Sequence, residues 1–379
     1  VIPTPAIAFL TKSIRADAGV VISASHNPYY DNGVKFFNAN GYKLADVTEH
    51  EIERMIDNNE PSLDPDSIGK AYRIEGIGRY VEFVKNTFPK NINLKGLKIV
   101  VDCANGASYK AAPLALRELG ADIFLINVEP NGMNINDNCG AVHPENMAKA
   151  VLEYKADVGI SFDGDADRVV FADEKGNIVD GDKIMGVCAI DMSELGLLRN
   201  NAIVATVMSN IGFEYSMNKR GVKLVRSQVG DRYVMEDMIK YNCNLGGEQS
   251  GHLIFSDFNT TGDGLISAMQ VLSIMVKKGK NLSELYSFIE TYPQILRNIA
   301  VDDKIPLECL EKTSAVIKNA EKDLGSSGRV LVRYSGTENK LRIMLEGKKE
   351  DVIAKYAEDI AESAVNEIKG KSEDGKTGC

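Results

Sequence analysis

A tandem α/β architecture, closed by a smaller C-terminal α+β domain, is the fold class that the sequence predicts. Three observations predict it. The chain has 379 residues, more than one ordinary core of ~100–200 residues holds. Short apolar β runs alternate with helical segments through two successive series. From about Arg297 that alternation gives way to strands and two long helices.

The elements are justified in order. VIPTPAIAFLTK enters a helix, and Val20–Ser23 reads as a short strand. LKIVVDCANG, ADIFLIN and DVGISFDGD are strands, and ASYKAAPLALRELG and HPENMAKAVLEYKA between them are helical. That βαβαβ order implies parallel strands with crossover helices. A second series follows, with KIMGVCAIDMSELG, NIGFEYSMNKRG and GDRYVMEDMIKYN as helices and AIVATVMS and VKLVRSQ as strands, ending in NLGGEQSGHLIF. The last part holds a strand, the helix PLECLEKTSAVIKNAEKDLG, two strands flanking RYSGTENK, and the amphipathic KEDVIAKYAEDIAESAVNEIKG. The tail KSEDGKTGC is polar and expected to fray. Boundaries near residues 90, 181 and 297 give domains of 1–90, 91–181, 182–296 and 297–379.

Composition excludes several classes of function. The net charge of −10 argues against a general affinity for nucleic acid or anionic membranes. No apolar run approaches the ~20 residues of a membrane span. The six cysteines are scattered without CxxC or zinc spacing, which favours free thiols in a reducing cytoplasm.

Four loops at predicted strand ends carry the chemistry, where parallel sheets gather ligands. In FDGDADR, Asp163, Asp165 and Asp167 are spaced by two, so their carboxylates can converge on one hard divalent cation, Mg²⁺ above all. A solvated acidic turn is the plain alternative. An EF-hand would place Glu174 at loop position 12, but it needs glycine where Arg168 stands and helices where DVGISF and VVFAD read as strands. In SASHNP, Ser23 and Ser25 offer hydroxyl nucleophiles, with His26 beside Ser25. Ser, Asn and Pro also make ordinary turns. No GxSxG elbow supports a hydrolase triad, and His26 is too close in sequence to face Ser25 in the usual way. Beside a Mg²⁺ loop, a cation-coordinated serine phosphate is an alternative to acyl chemistry. GGEQSGH sets Glu248, Gln249, Ser250 and His252 between glycines, suited equally to a sugar or to a hairpin turn. In RVLVRYSGTENKLRIML, four basic residues, Arg329, Arg333, Lys340 and Arg342, face only Glu338. With Ser335, Gly336 and Thr337 they make a phosphate cradle.

Together SASHNP, DGDADR, GEQSGH and RYSGTENKLR resemble the α-D-phosphohexomutase superfamily in order and spacing, over residues 1 to about 365. GEQSGH is most similar to the bacterial phosphoglucosamine mutases within it, and Gln249 is where mannose- and glucose-phosphate relatives differ. The resemblance implies Ser25 as a phosphoserine whose phosphate binds Mg²⁺ with Asp163, Asp165 and Asp167. It implies Arg168 and His26 at the transferring phosphoryl group and Lys35 as a general acid or base. Glu248, Gln249 and Ser250 would meet the sugar, and Arg333, Ser335, Gly336, Thr337 and Arg342 would hold the phosphate that is not reacting, on a small mobile domain. The implied partner is a phosphosugar, with neither nucleic acid nor membrane, and a homodimer is left open. A phosphomannomutase or phosphoglucomutase would share this chemistry. DGDAD also loosely resembles the nucleophile loop of haloacid-dehalogenase phosphatases, which leaves SASHNP and RYSGTENK unexplained. The superfamily has a strand, helices and a Gly- and Arg-containing loop ahead of VIPTPAIAFL. The expectation is therefore that only the second half of the first domain is represented, the missing segment being either a separate, clipped piece or a vacant sheet position around Gly19–Ser23.

Overall fold

The computed structural model describes residues 1–58, 66, 69–335 and 339–373. The chain divides into two compact units, Val1–Ser209 with Met217–Phe288, and Asn210–Ser216 with Ile289–Cys379.

In the first unit, α1 (Thr4–Ser13) begins where Pro3 and Pro5 fix the backbone of its first turn. It lies over β1 (Ala18–Ser23), and Gly19 makes the close approach possible: a Cβ there would stand 2.1 Å from Thr11 Oγ1. β1 pairs antiparallel with β2 (Gly33–Asn38) and with no other described strand. Val20 and Ile22 are exposed on this ribbon. Next come α2 (Asp46–Asp57) and α3 (Ile77–Lys85).

The expected βαβαβ unit follows. β3 (Lys98–Asp102), α4 (Ser108–Glu118), β4 (Asp122–Ile126), α5 (Glu145–Tyr154) and β5 (Val158–Phe162) build a parallel core in the order β4-β3-β5. Two antiparallel strands extend it, β6 (Val169–Ala172) and β7 (Ile178–Val179). Val100 packs with Met147 and Val151 of α5, and the four residues of β6 are all buried.

The second series is α6 (Gly181–Glu194), β8 (Ala202–Thr206), α7 (Ile211–Lys219), β9 (Lys223–Ser227), α8 (Asp231–Lys240), β10 (Leu245–Gly247) and β11 (Leu253–Phe255). Its sheet runs β11-β10-β8-β9, parallel except for the β10–β11 hairpin. α9 (Gly264–Lys278) follows, then the single turn α10 (Leu282–Leu285) with a capping box from Asn281 and Glu284.

In the second unit, β12 (Gln294–Ala300), β13 (Gly328–Tyr334) and β14 (Lys340–Gly347) form an antiparallel sheet in the order β12-β14-β13. α11 (Glu311–Leu324) and α12 (Glu350–Glu373) cover it. α12 buries Ile353, Ala357, Ile360, Ala364 and Ile368, one stripe at helical spacing. Each such isoleucine contributes roughly 1.5–3 kcal/mol on burial.

The α/β class and the C-terminal α+β domain are as expected, with three corrections. α12 continues to Glu373, so the first residues of the supposed frayed tail are helical; residues 374–379 lie outside the described ones. The free thiols expected from sequence are Cys103, Cys139, Cys188 and Cys243, all buried, whereas Cys309 is disulfide-bonded. β2, α2, α3 and α9 add to the expected elements, and α3 buries Tyr80, Val81 and Val84 at helical spacing. α9 is buried on nearly every side and so lacks an amphipathic stripe. No described helix is long and apolar enough to cross a membrane.

Candidate active site

β1 ends at Ser23, and the chain turns so sharply that Ser25 takes a left-handed backbone, φ +52°. The Ser25 N–H donates to Ser23 Oγ at 2.8 Å. The β1–β2 pairing sets Lys35 opposite Val21 and returns its side chain to the loop. Lys35 Nζ and His26 Nδ1 each lie 3.4 Å from Ser25 Oγ. His26, expected to be too close in sequence to face Ser25, does reach its hydroxyl.

β5 and β6 run antiparallel on either side of the DGDADR loop, so its flanks are strands and not the helices of an EF-hand. Glu174 is turned away and accepts from Ser283. Asp163, Asp165 and Asp167 are buried, and one oxygen of each lies within 4.8 Å of the others. Gly164 lets this loop touch the serine loop, since a Cβ there would stand 2.4 Å from Ser25 O.

Donors hold only one side of the carboxylates. Asp165 Oδ2 accepts from Thr4 Oγ1 at 2.7 Å, Ser23 Oγ at 3.0 Å and Lys35 Nζ at 2.7 Å. Lys35 also bonds Asp167 Oδ2 at 3.2 Å. Asp163 Oδ2, Asp165 Oδ1 and Asp167 Oδ1 are buried with no hydrogen-bond partner. Three buried carboxylates this close together, each with one oxygen unmet, fit a hard divalent cation and no solvated acidic turn.

The electrostatics agree. Burial and the neighbouring Asp167 and Asp165 push Asp163 well above the usual carboxylate range. Burial also acts against Asp167, but His252, Lys35 and Lys43 outweigh it and hold that carboxyl well below the range. Lys35 is likewise opposed by burial, yet Asp167 and Asp165 keep it firmly protonated. Burial and then Arg168 lower His26, so its ring is neutral near pH 7. Arg168 is half-buried, its Nε 4.0 Å from Asp167 Oδ1.

The GEQSGH segment joins β10 to β11, so it is a hairpin turn, and its side chains are held by their neighbours. Glu248 Oε1 accepts the Gly230 N–H at 3.1 Å and Oε2 accepts Ser250 Oγ at 3.2 Å. Gln249 Nε2 donates to Asp180 Oδ2 at 3.3 Å.

Sequence reasoning set His252 only in the candidate sugar loop and missed its place beside the acidic cage, together with Asp231 and Thr4. His252 is buried with Nδ1 3.4 Å from Asp167 Oδ1, too poorly aligned to count as a hydrogen bond, while Nε2 accepts the Gly262 N–H at 3.1 Å. That N–H fixes the proton of a neutral ring on Nδ1, facing the carboxylate. Burial opposes a charge on His252, but Asp167 and Asp231 outweigh it and raise the basicity of the ring. Asp231, itself paired with Lys43, stands on the ring's other side. Thr4 supplies a donor from far along the chain. Only His252 had a signal, its place in GEQSGH.

In the second unit, Arg333 and Arg342 are directly opposite each other on β13 and β14. Ser335 donates its N–H to Lys340 O at 2.8 Å and accepts Lys304 Nζ at its carbonyl, also at 2.8 Å. Gly336 and Thr337 lie outside the described residues. One member of the expected basic cluster is corrected: Arg329 is bound to the buried Glu346, through Nε at 3.0 Å and Nη2 at 2.6 Å, because the β-register sets the two opposite each other.

Comparison with known proteins gives four matches in chain order. The phosphoglucomutase/phosphomannomutase alpha/beta/alpha domains I, II and III match residues 1–62, 78–176 and 180–292, and the C-terminal domain matches 296–363. A phosphoglucosamine mutase of Protochlamydia amoebophila is 56% identical over 97% of this chain and 81% of its own length. One from Syntrophotalea carbinolica is 54% identical over 95% and 80%. A crystal structure of a phosphoglucomutase/phosphomannomutase family protein from Burkholderia thailandensis superimposes with a TM-score of 0.78 at 22% identity, over 97% of this chain and 82% of that one. Aspergillus fumigatus N-acetylphosphoglucosamine mutase, in complex with GlcNAc-6P and magnesium, does so with 0.68 at 18%, over 96% and 92%. The domain I match begins at residue 1 and gives no support to the expectation of a half-represented first domain.

Proposed function

Because the chain belongs to the phosphoglucomutase/phosphomannomutase family over nearly its whole length, we propose that it is a phosphoglucosamine mutase, interconverting glucosamine 6-phosphate and glucosamine 1-phosphate through phosphorylated Ser25 and a 1,6-bisphosphate. One observation carries the reading: Ser25 Oγ has Lys35 Nζ at 3.4 Å, and that same Nζ bonds two carboxylates of a cage with unpartnered oxygens. A hydroxyl, a cation and an ion-ready cage together suit phosphoryl transfer. The amino-sugar assignment is supported by relatives above 50% identity.

Asp163, Asp165 and Asp167 would hold Mg²⁺, which when bound supplies positive charge against the phosphoryl oxygens. In the first half-reaction the bond from Ser25 Oγ to phosphorus breaks as O1 of the sugar bonds to phosphorus. Protonated Lys35 delivers a proton to the departing Oγ, and the neutral His26 ring takes the proton of the O1 hydroxyl. In the second half, the 6-phosphoryl group returns to Ser25 Oγ, whose proton goes back to Lys35 while His26 reprotonates O6. Arg168 offsets charge on the phosphoryl oxygens. Glu248, Gln249 and Ser250 meet the sugar, and Arg333, Ser335, Gly336, Thr337 and Arg342 grip the phosphate that is not reacting.

The test is ³¹P NMR of the purified protein with Mg²⁺, a sugar 1,6-bisphosphate and, separately, the 6-phosphates of glucosamine, glucose and mannose. Glucosamine 1-phosphate should form fastest, and Ser25→Ala should abolish it with the melting temperature unchanged, because a half-buried loop hydroxyl contributes little to stability. Faster turnover of glucose or mannose phosphate would reassign the substrate. Release of inorganic phosphate, or full activity in Ser25→Ala, would overturn the mutase reading.

A further inference from the structure

The stretch NGMNINDN, residues 131–138, has no part in the reading above. It lies in the long connection between β4 and α5, and its asparagines brace it internally. Asn131 Oδ1 accepts the N–H groups of Met133 at 2.9 Å and Asn134 at 3.0 Å, and Asn134 Nδ2 donates to Glu129 O at 3.0 Å. Asn105, at the end of β3, ties in the same loop by accepting the Glu129 N–H at 3.1 Å.

From this braced loop Asn136 reaches across 111 residues of sequence. Its Nδ2 donates one proton to Ser25 O at 2.9 Å and the other to Asn27 O at 2.8 Å. Both protons are used, so the amide has one orientation, because a flip would set its oxygen against two carbonyls. Asn136 is itself left-handed, φ +58°, 8% exposed, and anchored by its N–H to Ala104 O at 3.0 Å. Gly164 completes the clasp, since a Cβ there would meet Asn136 Nδ2 at 2.7 Å as well as Ser25 O.

The clasp acts where the backbone resists. A left-handed serine costs roughly 1–2 kcal/mol and persists only if its surroundings hold it. With the Ser25 and Asn27 carbonyls both drawn inward, the loop turns Ser25 Oγ toward Lys35 and His26. We infer that Asn136 is a positioning residue for phosphoryl transfer: through its two amide hydrogen bonds to the 25 and 27 carbonyls it holds Ser25 in its left-handed conformation and so aims the phosphoryl-carrying oxygen.

The inference rests on Ser25 as the phosphoryl carrier, and the experiment separates the two. Asn136→Gly tolerates the left-handed backbone and deletes both donors. Asn136→Asp keeps the shape and serves if the glycine variant does not fold. For each, kcat and KM for glucosamine 6-phosphate, the rate of Ser25 phosphorylation by a labelled sugar 1,6-bisphosphate, and Mn²⁺ affinity by paramagnetic resonance are measured. Misplacing a reacting atom by about 1 Å costs on the order of a hundred-fold. The expectation is a ten- to hundred-fold loss in kcat and in Ser25 phosphorylation, with KM and Mn²⁺ affinity unchanged within about two-fold. Wild-type kcat in the variant, or Mn²⁺ affinity falling in step with kcat, would overturn it. A wild type that carries no phosphate on Ser25 and turns over no substrate would instead sink the functional reading.

Discussion

Asp165 accepts three hydrogen bonds on Oδ2, from Thr4, Ser23 and Lys35, and none on Oδ1. The donors fix the carboxylate and leave its second oxygen unmet, beside Asp163 and Asp167 in the same cluster. In Asp165→Asn, the new NH₂ must either confront those three donors or point into the cage, and in both cases one anionic ligand is lost. The variant should bind Mn²⁺ or Mg²⁺ on the order of ten- to a hundred-fold more weakly. Turnover should fall with it, because the ion and the transferring group share the charge. A titration beside a kcat measurement checks this, and turnover that persists in excess chelator would make the cluster structural.

At the scale of elements, the buried helix α9 is held by its cap. Asp263 Oδ1 accepts Tyr80 OH at 2.8 Å and the N–H groups of Leu265 and Ile266 at 3.1 and 3.0 Å. Asn259 donates to Oδ2 at 3.0 Å. Burial outweighs these donors and raises the carboxyl to about 6. The unfolded value is about 3.9, so between pH ~4 and ~6 the native state holds a proton that the unfolded chain has released. Stability from this group therefore falls as pH rises through that window, by roughly 2–3 kcal/mol in all. Asp263→Asn cannot titrate. Urea midpoints should show the wild type losing stability relative to the variant from pH 4 to 6.5, and parallel curves would refute the assignment.

For the whole molecule, an ion that binds only the native cage stabilises the fold by mass action, by about 2.7 kcal/mol at a hundred times Kd. Adding Mg²⁺ to chelator-treated protein should raise Tm by several degrees, and Asp165→Asn should erase that rise. An equal Tm with and without the ion would deny the cage its metal. In the second unit, Arg333 and Arg342 stand directly opposite on β13 and β14, so two guanidinium groups share one face of the sheet, a pairing suited to an anion. Arg342→Ala should raise KM for the phosphosugar about ten-fold with little loss of stability. An unchanged KM would remove Arg342 from the phosphate grip.

The sequence by itself determined the alternation of strands and helices, the parallel pairing within the βαβαβ unit and the DGDADR turn between two strands, while the order β4-β3-β5 came from the structure. These depend on periodicity and on spacing along a few residues, which survive in any local reading. The amphipathic stripe of α12 was legible for the same reason, whereas α9, buried on nearly every side, left no period to read. Tertiary structure alone decided which partners meet. Lys35 bonds Asp165 across 130 residues, Thr4 reaches it across 161, and Asn136 clasps Ser25 across 111. Arg329 looked free in the sequence and is bound to Glu346 because β13 and β14 pair in one register. A one-residue slip would carry that partner to the opposite face of the sheet. Spacing names the groups able to do the chemistry, but their distances and charge states arise only when the chain closes and excludes water around them.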